Sequence, residues 1–161
     1  MYAARYRPTV TEDSGTIGGT YTLFVELLDP ATIDVGALGE CVFDSGWYAY
    51  TGSALGSGGF ARVERHRELA AGGRDTRHWH VDYLLGNPAA SIDTTIRSPG
   101  ADVECAVATA LGGDPVADFG CSDCGCRSHL HYAPQRADLL DSVYRAHDTA
   151  TGGEQEQRSR S

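Results

Sequence analysis

The run from Gly19 to Asp29, Gly-Thr-Tyr-Thr-Leu-Phe-Val-Glu-Leu-Leu-Asp, constrains the fold more than any other part of the chain. It is rich in β-branched and aromatic residues and is stopped by Asp29-Pro30, so it reads as a strand. A second strand pattern covers residues 45–54, where Trp47, Ala49 and Thr51 alternate with Tyr48, Tyr50 and Gly52. The stretch 32–43 between them has the look of a hairpin, and the glycine-rich run 53–59 is a turn.

Helical signals follow. Residues 61–71 have helix-forming composition, close with Gly72-Gly73, and place Arg62 and His66 on one face. A helix over 78–86 ends at Asn87-Pro88, and a strand over 90–98 is broken by Pro99-Gly100. The helix predicted over 101–113 buries Val103, Val107 and Leu111 at four-residue steps, which leaves Glu104 at the border of the apolar face near the helix start. A turn-rich segment, 114–128, leads into a last strand over 128–133 and a helix over 136–147. Strands and helices mix without regular βαβ alternation, so the expected fold class is α+β, a small mixed or antiparallel sheet flanked by helices. Residues 1–15 read as a disordered arm, 16–147 as one folded unit and 148–161 as a disordered, polar tail.

The 161 residues carry a net charge of -9, and all 13 basic residues are arginine. Acidic, lysine-free surfaces suit a salty cytoplasm, where charges are screened within about 3 Å at 1 M salt. The bland alternative is a GC-rich genome. Phosphate contacts normally demand a basic surface, so any nucleic-acid function has to rest on localised arginines. No apolar run reaches the roughly 18 residues of a membrane span and the start lacks the order of a secretory signal, which predicts a soluble cytoplasmic protein with no membrane partner. Five cysteines, at 41, 105, 121, 124 and 126, are an odd number without an export signal, which argues against a disulfide framework.

Gly19-Thr20-Tyr21 and Tyr50-Thr51-Gly52 resemble the paired motifs of the GIY-YIG nuclease superfamily, and Arg62, His66 and Glu104 follow in the expected order. The chain is more similar still to the Uri-type branch, through residues 47–59, the His78-Trp79-His80-Val81-Asp82-Tyr83-Leu84-Leu85 helix, Glu104-Cys105 and the segment 121–132. This resemblance implies a GIY-YIG-like nuclease domain that hydrolyses phosphodiesters, with DNA as partner and Mg²⁺ or Mn²⁺ as cofactor. It assigns the metal to Glu104, the general base to Tyr50, the ordering of water or phosphate to Tyr21, phosphate binding to Arg62 and proton transfer or phosphate holding to His66. Gly52, Ser53, Arg65, His80, Ser128 and His129 are the implied substrate contacts, Arg65 competing with Arg62 for the catalytic place. The middle residue is threonine in both triplets, a departure from the family pattern.

The chemistry suits these residue types. A hard carboxylate oxygen suits Mg²⁺, which keeps most of its waters. A guanidinium offers planar, bidentate donors to phosphate and stays charged, and a phenol titrating near pH 10 accepts a proton once its pKa is lowered. Each has a plainer reading: a helix-start glutamate favouring the dipole, packing tyrosines with one wet end, an exposed helix arginine, a neutral structural histidine. Asp82 reads as a cap or as the orienting partner of a histidine, and Trp79 as core. Cys121, Cys124, Cys126, His129 and His131 are zinc-type ligands, but four within one turn and strand are cramped, so buried thiols at a turn are the majority reading and a structural Zn²⁺ the minority one. The alternative for the whole chain is a non-catalytic nucleic-acid or protein-binding module on the same fold, for which the acidic charge speaks.

Overall fold

The computed structural model describes residues 18–55, 59–72, 80–116, 119 and 128–160, the side chains of Ala37 and of 152–160 excepted. Strand β1 (Gly19–Leu27) is the middle of the architecture. It pairs antiparallel with β4 (Gly46–Ser53) on one side and β5 (Ala90–Pro99) on the other. Beyond β4 lie β7 (Leu130–Ala133) and the two-residue β6 (Asp114–Pro115), giving the order β5-β1-β4-β7-β6. A separate hairpin joins β2 (Ala31–Asp34) to β3 (Glu40–Phe43) through a 3-10 turn at Gly36–Leu38.

Side chains alternate across a strand, so β1 serves two cores at once. Tyr21, Leu23, Val25 and Leu27 face helices α1 (Ala61–Ala70) and α2 (His80–Leu85), whose Val63, Leu69, Val81, Leu84 and Leu85 complete the larger core. Phe24 belongs to the opposite core, against Val107 of α3 (Glu104–Ala110) and Leu139, Val143 and Ala146 of α4 (Arg136–Arg160). Burying each large aliphatic side chain stabilises the fold by about 1.5–3 kcal/mol, which is why the apolar content concentrates in β1.

Helix α1 follows Gly59, whose φ of 55° lies in the left-handed region, and buries Val63, His66 and Leu69 on one stripe. It ends at Gly72, φ 86°, whose N–H donates to the Leu69 carbonyl. Helix α4 presents Leu139, Ser142, Val143, Ala146 and His147, the i, i+3, i+4 rhythm of one buried face. Among the described residues no helix is long and apolar enough to cross a membrane.

Three details differ from the sequence expectation. Asp114–Pro115 pair with β7 inside the stretch expected to be turn, a segment too short to show periodicity and on the edge where a proline is tolerated. Helix α3 begins at Glu104, and residues 101–103 precede it as non-helical backbone. Helix α4 continues to Arg160, beyond the end at His147 expected from the sequence.

Behind the sheet, His147 is clasped between hydroxyls. Its Nδ1 lies 2.7 Å from Ser98 Oγ and its Nε2 2.8 Å from Thr22 Oγ1, which in turn lies 2.8 Å from Thr51 Oγ1. A neutral imidazole serves one hydroxyl as donor and the other as acceptor. Burial pushes His147 down to about 4, and His131 likewise to about 4. Unfolded, these rings titrate near 6.5, so between pH 6.5 and 4 the unfolded chain binds the extra protons and stability falls as the pH drops. The expected loss is up to about 3 kcal/mol for His147 by pH 4. Denaturant titrations across that range will show His147→Gln with a flatter acid limb than the parent.

Candidate functional site

The two motif triplets meet because β1 and β4 are neighbours in a fixed register, with Tyr21 opposite Gly52 and Leu23 opposite Tyr50. Tyr21 and Tyr50 project to the same face, ring centroids 6.5 Å apart. The Tyr21 phenol leans over the bare backbone of Gly52. A Cβ at Gly52 would stand 2.6 Å from the Tyr21 hydroxyl oxygen and 3.1 Å from Tyr50 Cε2, so only glycine leaves room.

Helix α1 crosses this face and delivers His66 and Arg62. His66 Nε2 lies 2.9 Å from the Tyr21 hydroxyl and its Nδ1 lies 3.2 Å from Asp82 Oδ1 on α2. All three side chains are buried. A carboxylate only accepts, so Nδ1 carries the proton toward Asp82, and a neutral His66 then accepts from the Tyr21 hydroxyl at Nε2. Arg62 Nη1 donates to the Ser53 carbonyl, which tethers the guanidinium at the end of β4.

Glu104 enters from the other side of the sheet's end. Its Oε2 lies 3.3 Å from His129 Nδ1, and the His129 carbonyl accepts from the Thr51 N–H at 2.9 Å. Burial lowers the His129 pKa, so the ring contacts the carboxylate as a neutral group at neutral pH. The Glu104 side chain keeps 27 % of its surface open, in contrast to His66 at 1 %.

One phenol reports the convergence. Burial raises the Tyr21 pKa well above 10, the Tyr50 phenol raises it further, Arg62 pulls it down, and Glu104 and Asp82 push it up again. Tyr50, the Arg62 guanidinium and the carboxylates of Glu104 and Asp82 therefore all act on the Tyr21 phenol. Glu104 offers a hard, partly open carboxylate that fits Mg²⁺ or Mn²⁺, which bind through one or two carboxylates and retain water. Among the described residues no group of three or more His, Cys, Asp or Glu forms a closed metal cage.

The remaining expected contacts are distributed differently. Arg65 is half-buried one turn along α1 from Arg62. His80 stands one ring away from Tyr50: it packs on Phe119 at 5.5 Å, and Phe119 meets Tyr50 edge-on at 6.3 Å. Ser128 is buried, its hydroxyl donating to the Leu130 carbonyl and accepting from the Leu130 N–H, a task at the start of β7. His78, Trp79, Cys121, Cys124 and Cys126 lie outside the described residues.

The family model described as "Domain of unknown function DUF123" matches residues 20–152. The chain belongs to the DUF123 family. No curated protein and no solved structure matches it. The matched span of this DUF123 domain takes in β1 from Thr20 onward, both triplet tyrosines, His66, Glu104 and His129.

Arg97 escaped the sequence reading. It sits on β5 directly opposite Tyr21 and lies over the Phe60 ring, 4.9 Å from its centroid. Only the β1–β5 register reveals it, because nothing in residues 90–98 alone marks one position as facing the site. Gly52→Ala is expected to push the Tyr21 phenol off His66 and to cost about 1–3 kcal/mol through overpacking. Nitrogen-15 NMR of the His66 ring will read the lost hydrogen bond, and a denaturant titration the stability.

Proposed function

We propose that this DUF123 domain is a metal-dependent phosphodiesterase of GIY-YIG type that acts on DNA. The observation that carries this reading is the convergence on the end of β4: Tyr21 lies over Gly52 and meets His66, Arg62 is tethered to the Ser53 carbonyl, and His129, whose carbonyl accepts from the Thr51 N–H, meets Glu104. The adjacency of the two triplets on neighbouring antiparallel strands supports the same reading.

Phosphodiester hydrolysis needs a water that loses a proton, stabilisation of charge on the phosphoryl oxygens and help for the leaving alkoxide. Arg62, tethered through Nη1 to the Ser53 carbonyl, would donate to the phosphoryl oxygens. Glu104 would hold the Mg²⁺ or Mn²⁺, which when bound neutralises phosphate charge and acidifies coordinated water. The proton route favoured by the geometry runs through Tyr21 rather than through Tyr50, the residue the resemblance points to. Burial keeps the Tyr21 phenol protonated, so it cannot serve as the base alone, but it would relay: as water gives a proton to the Tyr21 oxygen, Tyr21 passes its own to His66 Nε2. Asp82 then faces the imidazolium it orients. Tyr50, buried beside both rings, shapes the wall of the site.

An acidic chain gains little long-range attraction for DNA, so local guanidiniums carry the binding. Arg97, stacked on Phe60, is pre-oriented to take a phosphate next to the scissile one. In this reading the -9 charge and absence of lysine reflect a high-salt setting, and the reaction belongs in high-salt buffer.

The test incubates purified protein with single-stranded, duplex and branched DNA and Mg²⁺ or Mn²⁺. Glu104→Gln and Arg62→Ala are each expected to lower kcat by about 10²–10³-fold, the usual loss for a group that stabilises transition-state charge. Equal cleavage by parent and Glu104→Gln would assign the activity to a contaminant and overturn the reading. Metal-independent DNA binding without cleavage would support a binding module in its place. Arg97→Ala is expected to raise KM with kcat held, and to reduce the slope of log affinity against log salt by about 1.

A further inference from the structure

Thr20 stands where the motif it resembles has an apolar residue, and its side chain points to the face opposite Tyr21. It is fully buried. Its hydroxyl donates to the Ala101 carbonyl at 2.9 Å and accepts from the Val103 N–H at 3.0 Å. Both bonds are made to the two residues on either side of Asp102, in the segment that leads directly into Glu104, the first residue of α3.

Helix α3 needs such help. It has seven residues, too few to be stable alone. Val103 occupies its N-cap position, and its side chain carries no oxygen with which to cap the helix. Thr20, 83 residues away in sequence, provides that oxygen for the Val103 N–H. The other side of the segment is pinned by Gly100 N–H to the Gly18 carbonyl at 2.7 Å. Glu104 thus rides on a backbone fastened to the strand that carries Tyr21, one residue upstream of Tyr21 itself.

We propose that Thr20 is a positioning residue for the Glu104 carboxylate, setting its distance from Tyr21 and His129 through two backbone hydrogen bonds. The metal-binding consequence rests on the phosphodiesterase reading; the positional one does not. Thr20→Val keeps the branched shape and removes both bonds, and Thr20→Ser keeps the hydroxyl.

In the full chain, Mn²⁺ affinity by calorimetry and the Mn²⁺ concentration for half-maximal cleavage are both expected to weaken by about tenfold in Thr20→Val, the usual scale for an outer-shell partner of a metal ligand. Cleavage at saturating Mn²⁺ stays within about threefold of the parent, and Thr20→Ser restores the parent's half-saturation. Amide exchange at Val103 speeds up in Thr20→Val, and the NOE between the Glu104 methylene and His129 ring protons weakens; neither changes in Thr20→Ser. Unchanged exchange and NOE in Thr20→Val would overturn the proposal, as would equal impairment of the valine and serine variants, which would point to packing of the methyl group. If the parent neither binds Mn²⁺ nor cleaves, the phosphodiesterase reading fails, and the exchange and NOE measurements still decide what Thr20 does.

Discussion

The apposition of Tyr21 and Gly52 across β1 and β4 is the constraint on which the site depends. Side chains in a strand alternate with a period of two, so a one-residue slip would send Tyr21 to the α3/α4 face and bring Thr20 or Thr22 into its place. Such a slip is strongly opposed, because β1 is buried on both faces and is paired on both edges. Every large apolar side chain of the strand would have to change cores. The phenol therefore lies over Gly52, which has no side chain to exclude it, and His66 meets it there.

The site is graded from dry to wet. Asp82, His66 and Tyr21 form a hydrogen-bonded line inside the larger core, and Glu104 reaches the surface. A buried polar line is costly unless each member is satisfied. Here each heavy atom of the line has its neighbour, and the order of the atoms fixes the imidazole tautomer. Arg62 is held at the boundary between the two regimes by the Ser53 carbonyl. That placement matters in a chain of net charge -9, since a guanidinium already fixed in orientation spends less entropy in gripping an anion than a freely rotating one.

Most of the architecture was legible in the sequence because its elements carry strong local patterns. The strand at Gly19–Leu27, the strand at Gly46–Ser53 and the Arg62/His66 face of α1 all follow from period and punctuation. The α+β class followed from their order. What was not legible depends on contacts between distant segments. Asp114–Pro115 is a strand only because β7 lies beside it. Asp82 could be weighed as a histidine's partner, but nothing local chose His66 over His80, a choice made by the packing of α2 on α1. Glu104's pairing with His129, and Arg97's place opposite Tyr21, are products of sheet order and register. The cysteine-rich segment, the least regular part of the sequence, lies outside the described residues.

The threonines at the centre of both triplets, read from the sequence as a departure, have a common physical sense in the fold. Threonine is β-branched, so it keeps the shape and strand preference of an aliphatic residue. Its hydroxyl adds a directional bond where an aliphatic side chain offers only contact. Thr20 spends that bond on the backbone before Glu104, and Thr51 spends it on Thr22 and, through it, on His147 of α4. The face of the sheet turned away from Tyr21 is thereby tied by hydrogen bonds to α4 and to the segment that leads into α3. Apolar packing alone tolerates small slides of a helix over a sheet; hydrogen bonds, which weaken steeply with angle and distance, do not. The precision of the front of the site is in this way set from behind it, by residues that touch neither the phenol nor the carboxylate.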